Sequence, residues 1–329
     1  MATKAIALMS GGLDSCLAVR VIQEQGIEVI GIHCRHPFHI GPPPGRDPNV
    51  NLVAAELGIE LVEPDVTERM IELVKSPPHG RGRNLNPCVD CRILYLNEGA
   101  KLMRERDASF IITGEVIGQR PMSQRRDSMD VIDRDSGLRG KILRPLTAKR
   151  LKPTPMEESG LVDRERLLDF HGRRREPQFE LARRYGLTGW SAPAGGCLLT
   201  FEDFAKKIED LIAHEQFDRH TLLLVKTGRH FRLSPQCLLA MGKDDPENMK
   251  LESLAGPDDT VLRSTLPGPI GVLTGAVTEG DILLAAGLMG RYMKRVEDGV
   301  ACEVQAPGLP LREIKVMPLS PVRADSYRI

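Results

Sequence analysis

Ser10-Gly11-Gly12-Leu13-Asp14-Ser15 lies between the apolar run Ala5-Ile6-Ala7-Leu8-Met9 and a segment of helical character from Cys16 to Gln25. Two adjacent glycines let a backbone fold tightly around an anion, so that successive N–H groups and the positive end of the following helix face it. Ser10 and Ser15 add hydroxyl donors. The stretch lacks the Gly-Lys-Ser/Thr ending of the common phosphate loop and the three spaced glycines of the dinucleotide fingerprint. A strand before and a helix after make it a phosphate site in an α/β fold. Outward from it, strand-like and helix-like segments alternate. Strands are expected at Glu28 to His33, Glu60 to Glu63 and Phe110 to Gly114, and helices at Asn49 to Leu57, Glu68 to Lys75 and about Cys91 to Glu105. Such alternation predicts a doubly wound parallel sheet with helices on both faces and ligands outside the carboxyl ends of the strands.

The residues SGGLDS resemble the PP-loop of the ATP pyrophosphatases, which split ATP between the α and β phosphates and transfer AMP to an oxygen. The resemblance implies an adenine nucleotide α-hydrolase-like fold, ATP and Mg2+ as cofactors, and Ser10, Gly11, Gly12, Asp14 and Ser15 as ATP ligands, with Asp14 associated with magnesium and pyrophosphate. It further implies that Gly114 lets the nucleotide approach the backbone and that Arg120 and Gln124 face the phosphates or a target base. A solvated loop is the plainer reading of Arg120 and Gln124. His33 closes the second strand near where an adenine would lie, and a packed or capping role is its alternative.

With 329 residues the chain is long for one core, and two domains are expected. Residues 1–185 form the PP-loop domain, 186–220 a linker with a helix from about Phe201 to His214 that carries the third cysteine of interest, and 221–329 a smaller α+β domain, the pattern changing to short strands and turns near residue 220. Lys+Arg and Asp+Glu both number 45, so a nucleic-acid surface must be a local patch. No apolar run approaches the ~20 residues of a membrane helix, and Met1-Ala2-Thr3-Lys4 leads directly into a strand, so a cytoplasmic protein without membrane association is expected. Breaker-rich stretches, Gly41-Pro42-Pro43-Pro44-Gly45 and Ser76 to Arg83, read as loops.

Seven cysteines without a secretion signal favour thiol chemistry or metal binding over disulfides. Cys88 and Cys91, in Asn86-Pro87-Cys88-Val89-Asp90-Cys91, stand at a helix entry where the dipole favours thiolate. Cys197 follows Pro193-Ala194-Gly195-Gly196. Cys16, Cys34, Cys237 and Cys302 lie in apolar contexts and read as small buried hydrophobes.

The order of PP-loop, Asn-Pro-x-x-x-Cys, Thr-Gly-Glu and Gly-Gly-Cys-Leu-Leu resembles the tRNA thiouridine synthases, in the 2-thiouridylase and 4-thiouridine synthetase branches, over roughly residues 5 to 205. It implies an ATP-dependent sulfurtransferase that adenylates a uridine carbonyl in tRNA and replaces the oxygen with sulfur. Asp14, Cys91 and Cys197 are its catalytic residues; Cys197 holds the sulfur and Cys91 assists its release. Cys88 departs from the 2-thiouridylase motif, which carries Asp there, and resembles instead the thiolases that hold a [4Fe-4S] cluster on three cysteines. Cys88, Cys91 and Cys197 are thus open to a cluster, a persulfide relay or zinc, and the sulfur donor to sulfide or a persulfide carrier. Arg173, Arg174 and Arg175, with Arg183 and Arg184, form either a tRNA phosphate contact or a solvated helix face. The tail from Lys226 to about Gly308 resembles the small RNA-binding domain of the NFACT proteins, which implies tRNA docking, with a purely stabilising domain as the alternative. The rivals for the whole are a PP-loop enzyme of a small metabolite and a non-catalytic ATP-binding RNA factor.

Overall fold

The computed structural model describes residues 3–39, 50–190, 196–294 and 299–329. The expected loop at 41–45 and residues 192–195 ahead of Cys197 lie outside them. The chain divides into two compact units, Met1–Thr200 and Phe201–Ile329.

In the first unit, strands β1 (Lys4–Leu8), β2 (Glu28–Ile32), β3 (Leu61–Val62), β4 (Phe110–Thr113) and β5 (Ile142–Leu143) form a sheet of order β3-β2-β1-β4-β5. Every pairing is parallel. The sheet is buried on both faces, which explains the unbroken apolar run of β1. Ala5, Ala7, Phe110 and Ile112 face a core shared with helices α1 (Leu13–Gln23) and α2 (Val50–Leu57). Ile6, Leu8, Ile30, Ile32 and Ile111 face a second core built with α4 (Cys88–Glu105), beside α3 (Thr67–Lys75). Strand order reverses between β1 and β4, the place where open α/β sheets bind ligands. Three further helices complete the unit: α5 (Arg126–Asp135), α6 (Pro155–Glu158) and α7 (Glu176–Arg184). The alternation of the sequence does not reveal α5 and β5, because α5 buries only Met129 and Ile132 and β5 is two residues long. Helix α4 starts at Cys88, three residues before its expected start, so both cysteines sit in its first turn.

The second unit carries helices α8 (Glu202–Ala213), α9 (Arg219–Val225), α10 (Asp245–Leu254), α11 (Glu279–Arg291) and α12 (Pro321–Asp325). Its strands are β6 (Arg229–Ser234), β7 (Cys237–Met241), β8 (Thr260–Ser264), β9 (Ile270–Gly275), β10 (Val300–Gln305) and β11 (Arg312–Val316), in an antiparallel sheet of order β11-β10-β8-β9-β7-β6. Leu239 and Met241 join the core under α11, and Ala240 between them joins a smaller one with Leu224 and Leu251. Residues 201–220 belong here rather than to a linker, because Asp210 of α8 pairs with Arg232 of β6 and Gln216 Nε2 donates to the Gln236 carbonyl at 2.8 Å. The motif Met241 to Asn248 is a structural knot: Asp244 caps α10 by accepting from the Glu247 N–H at 3.0 Å, and Asn248 Nδ2 donates to the Gly268 carbonyl at 3.1 Å.

Candidate active site

The loop after β1 turns through Gly11, whose φ of 69° is left-handed, and Gly12 caps α1. Ser15 Oγ donates to the Gly12 carbonyl at 2.8 Å, so this hydroxyl braces the turn from inside. The loop after β4 packs directly on it. A Cβ at Gly114 would lie 2.5 Å from the Asp14 carbonyl carbon and oxygen and 2.6 Å from the Ser15 nitrogen. The glycine is therefore required by the approach of one loop to the other.

Asp14 is the centre of the site. Its Oδ2 accepts from Gln119 Nε2 at 2.6 Å and stands 3.6 Å from the Arg175 guanidinium, while its buried Oδ1 has no hydrogen-bond partner. Gln178 Nε2 of α7 donates in turn to Gln119 Oε1 at 2.9 Å. Behind this lies a buried charge network. Glu115 pairs with Arg92 of α4 at 3.0 Å and with Arg144 at 2.9 Å, and Arg144 grips Asp133 at 2.7 Å. Burial alone would raise the Glu115 pKa, and the guanidiniums of Arg92 and Arg144 reverse this and hold it below the usual carboxylate range. Arg120 is solvent-reachable but hemmed in, and this crowding, followed by the charges of Arg92 and Arg175, pushes its pKa down. No carboxylate among the described residues forms an ion pair with Arg120. A guanidinium so placed beside two others favours an anion. Gln124 is buried, its Oε1 without a partner, and its carbonyl accepts from the Gly118 N–H at 2.7 Å. His33 Nδ1 lies 2.9 Å from the Met9 carbonyl, tying the end of β2 to the entry of the loop.

The thiols meet on the same side. Cys197 bridges His39 in a short antiparallel contact, the Leu198 N–H donates to the Phe38 carbonyl at 2.9 Å, and the Leu85 N–H donates to the Leu199 carbonyl at 3.3 Å. Cys197 is thereby brought within electrostatic reach of Cys88 and Cys91. The expected thiolate character is not what the fold gives them. Burial pushes Cys91 up to about 11 and Cys197 up to about 12, and raises Cys88 as well, because desolvation of the anion outweighs the helix dipole at α4. The Cys88 thiol donates to Asn86 Oδ1 at 3.0 Å. Gly114 packs on the backbone of Asp14 and its neighbour Glu115 pairs with Arg92, the residue after Cys91, so the turn after β1 and the first turn of α4 are joined through one loop. Among the described residues, no three His, Cys, Asp or Glu side chains are arranged to hold a single metal ion.

Comparison with known proteins follows this geometry. Residues 1–150 match the family model of the thiamine biosynthesis protein (ThiI), and residues 228–328 that of the NFACT protein RNA binding domain. Residues 1–150 are thus similar to the ThiI family over somewhat less than half of the chain. A tRNA-specific 2-thiouridylase MnmA of Nitratidesulfovibrio vulgaris (strain DP4) is 39% identical over 88 residues, 25% of this chain and 24% of the relative. A probable tRNA sulfurtransferase of Thermococcus kodakarensis is 28% identical over 152 residues, 44% of this chain and 36% of the relative. The chain thus spans only about a quarter to a third of the length of these curated relatives. A 4-thiouridine synthetase in complex with RNA and bound ATP aligns with a TM-score of 0.36 and 17% identity, over 64% of this chain and 50% of that one, too slight a likeness to bear on function.

Around the site of the first unit, the arginine row divides. Arg173 and Arg174 are exposed ahead of α7, as are Arg183 and Arg184 at its end, whereas Arg175 turns toward Asp14, 3.6 Å away. Sequence reasoning passed over Gln119, Gln178 and Arg92, whose neighbours in the chain carry the motifs. It also passed over Tyr95, one turn beyond Cys91, whose hydroxyl meets Cys91, His36 and, at 3.3 Å, His39. The spacing His33-x-x-His36-x-x-His39 and the Cys91, Tyr95 interval of four were the available signals. Cys16, Cys237 and Cys302 lie in the apolar cores; Cys34 is buried too, but close enough to Cys91 to feel its charge.

Proposed function

We propose that the protein is an ATP-dependent sulfurtransferase that adenylates a uridine carbonyl in tRNA and replaces the oxygen with sulfur. The observation that carries this reading is that one loop joins the two motifs: Gly114 packs on the backbone of Asp14, and its neighbour Glu115 pairs at 3.0 Å with Arg92, the residue after Cys91. A nucleotide bound at the loop and a base attacked by sulfur would meet there. The ThiI match and the sulfurtransferase relatives support the same reading.

In this mechanism the N–H groups of the Ser10 to Ser15 turn and the start of α1 receive the phosphates of ATP. Arg120 offsets charge gathering on the pyrophosphate as it leaves. Attack by the base oxygen on the α phosphate gives a base adenylate, which turns a poor leaving group into AMP. Asp14 Oδ1, a buried carboxylate oxygen without a donor, suits a phosphate-bound Mg2+, a hard cation that takes oxygen ligands. Magnesium there would neutralise phosphate charge. A persulfide on Cys197, its outer sulfur supplied by a persulfide carrier, attacks the activated carbon as AMP leaves; the Cys91 thiolate then attacks the Cys197 sulfur and breaks the S–S bond, leaving the thiolated base and a Cys91–Cys197 disulfide that an external thiol reduces. The raised thiol pKa values keep both cysteines protonated at neutral pH until a charge or donor arrives.

Zinc does not fit, since the described side chains do not close around one ion. As the alternative to that relay, the soft donor set Cys88, Cys91 and Cys197 would suit a [4Fe-4S] cluster, which would supply sulfide in place of a Cys197 persulfide. The exposed Arg173 and Arg174 offer phosphate contacts to the tRNA. In the NFACT-type unit a second cationic group is available, where Lys207 is pushed down by burial and by the neighbouring Lys243 and Arg328.

The test is anaerobic conversion of ATP to AMP and pyrophosphate with and without unmodified tRNA. Stimulation by tRNA is expected, and Cys197→Ser should retain AMP formation while losing thiolation. Turnover that ignores tRNA would redirect the reading to a small metabolite.

A further inference from the structure

The first unit contains a buried amide relay that neither the motifs nor the proposed chemistry employs. Gln178 is 1% exposed and Gln119 7% exposed. They come from segments that are paired to each other: Ile117 bridges His171, and the Gly172 N–H donates to the Ile117 carbonyl at 2.8 Å, so α7 and the loop after β4 enter the site together.

The polarity of the relay follows from Asp14. An ionised carboxylate only accepts, so the Gln119 group 2.6 Å from Oδ2 must be its NH2. The Gln119 oxygen then points away and requires a donor, which Gln178 Nε2 supplies at 2.9 Å. The Asp14 carboxylate by itself disfavours the flipped amide, and the Gln178 donor reinforces this from the far side by satisfying the Gln119 oxygen and holding the amide in place. Fixing Oδ2 with one amide and the Arg175 guanidinium at 3.6 Å leaves Oδ1 as the carboxylate's free oxygen, buried and without a partner.

We infer that Gln178 is a positioning residue for the PP-loop: it secures the orientation of the Gln119 amide, which holds Asp14 so that Oδ1 is presented to the cation accompanying the ATP phosphates. The inference rests on the ATP-binding part of the proposed function and is independent of the tRNA part.

Two substitutions in the full-length protein separate polarity from packing. Gln178→Glu is nearly isosteric, but its ionised form cannot donate and sets a second carboxylate against the Gln119 amide, which is then drawn between two acceptors and loosens its hold on Asp14. Gln178→Met removes the donor without adding a carboxylate. Two readouts apply: AMP formation, and the affinity of Mn2+ in the presence of α,β-methylene-ATP, which is not cleaved at the relevant bond. Loss of the amide-to-amide bond corresponds to roughly a twofold to tenfold effect, and loss of the Gln119 bond to the Asp14 carboxylate to roughly a tenfold to hundredfold one. Gln178→Met should lie in the lower range and Gln178→Glu in the upper, in both readouts, with metal-free nucleotide affinity and melting temperature close to those of the parent. Equal behaviour of the two variants, or losses that follow the melting temperature alone, would overturn the inference. If Gln178→Glu does not fold, Gln119→Met must reproduce the loss of Mn2+ affinity, and its failure to do so overturns the inference equally. A parent protein that makes no AMP with tRNA yet loses Mn2+ affinity on Gln178→Glu would refute the tRNA reading and support the relay. A parent without cation-dependent nucleotide affinity would overturn the relay itself.

Discussion

Gly114→Ala adds one methyl group at the contact between the two loops that make the site. The new Cβ would stand 2.5 Å from the Asp14 carbonyl carbon and oxygen and 2.6 Å from the Ser15 nitrogen, against an ordinary contact beginning at 3.4 Å. The obstacle is backbone on both sides, with no flexible side chain to swing away, so one loop must retreat by about 1 Å, the order of displacement that costs a well-aligned catalytic geometry about a hundredfold in rate. Overpacking of this kind costs about 1 to 3 kcal/mol. For a unit of this size that is a fall of about 3 to 9 °C in melting temperature. Gly99→Ala is the control: it lies within α4, and its Cβ would meet only the ends of the Ile111 and Leu8 side chains, at 3.3 Å. Thermal denaturation and AMP formation are measured for both. The control should keep its melting temperature and its activity. Gly114→Ala should lose about a hundredfold in AMP formation, more than its modest destabilisation would explain. A Gly114→Ala protein with parental stability and turnover would refute the argument that the glycine is there for loop-to-loop approach.

Arg144→Met should destabilise the first unit by about 3 to 5 kcal/mol, since it strands Asp133 and leaves the buried Glu115 with Arg92 as its one remaining ion-pair partner among the described residues; urea denaturation followed by circular dichroism reads this. In the second unit His220 Nε2 pairs with Asp259 Oδ2 at 2.8 Å. The bond to Asp259 raises the His220 pKa, and this, with the Gly256 N–H, lowers that of Asp259 against the opposing effect of its burial. The His term is fully present below about pH 6.5 and fades as pH rises through the raised value, while the Asp term is present above about pH 3.8 and fades as pH falls through the lowered value. The denaturation midpoint of His220→Gln should therefore trail the parent most near pH 5 to 6 and least at pH 9; a gap that does not change with pH would count against the assignment. Finally, reversing the charges of Arg173 and Arg174 to Glu should weaken tRNA binding and flatten its dependence on salt, without changing the melting temperature; filter binding across a salt series reads the slope.

Much of the fold was legible in the chain because its signals are local. The buried parallel strands are continuous apolar runs, and Gly11-Gly12 can only be a tight turn between the first of them and α1. Helix α5 escaped because its apolar residues are two, and the boundary at Phe201 escaped because ion pairing between α8 and β6 is a contact across sequence. The site divides in the same way. Asp14, Cys88, Cys91 and Cys197 stand out by residue type and spacing, whereas the glutamines that hold Asp14 are ordinary polar residues until the fold buries them.

The sequence by itself therefore determined the parallel α/β architecture, the glycine turn between β1 and α1 and the identity of the thiols, since these follow from periodicity, glycine conformation and side-chain chemistry. Tertiary structure alone decided that Gly114 accommodates the Asp14 backbone, that Arg175 turns inward, that Gln178 and Gln119 fix a carboxylate, and that burial raises the thiol pKa values against the helix dipole. Each of these depends on distance and desolvation between segments far apart in the chain, and neither quantity exists until the chain has folded.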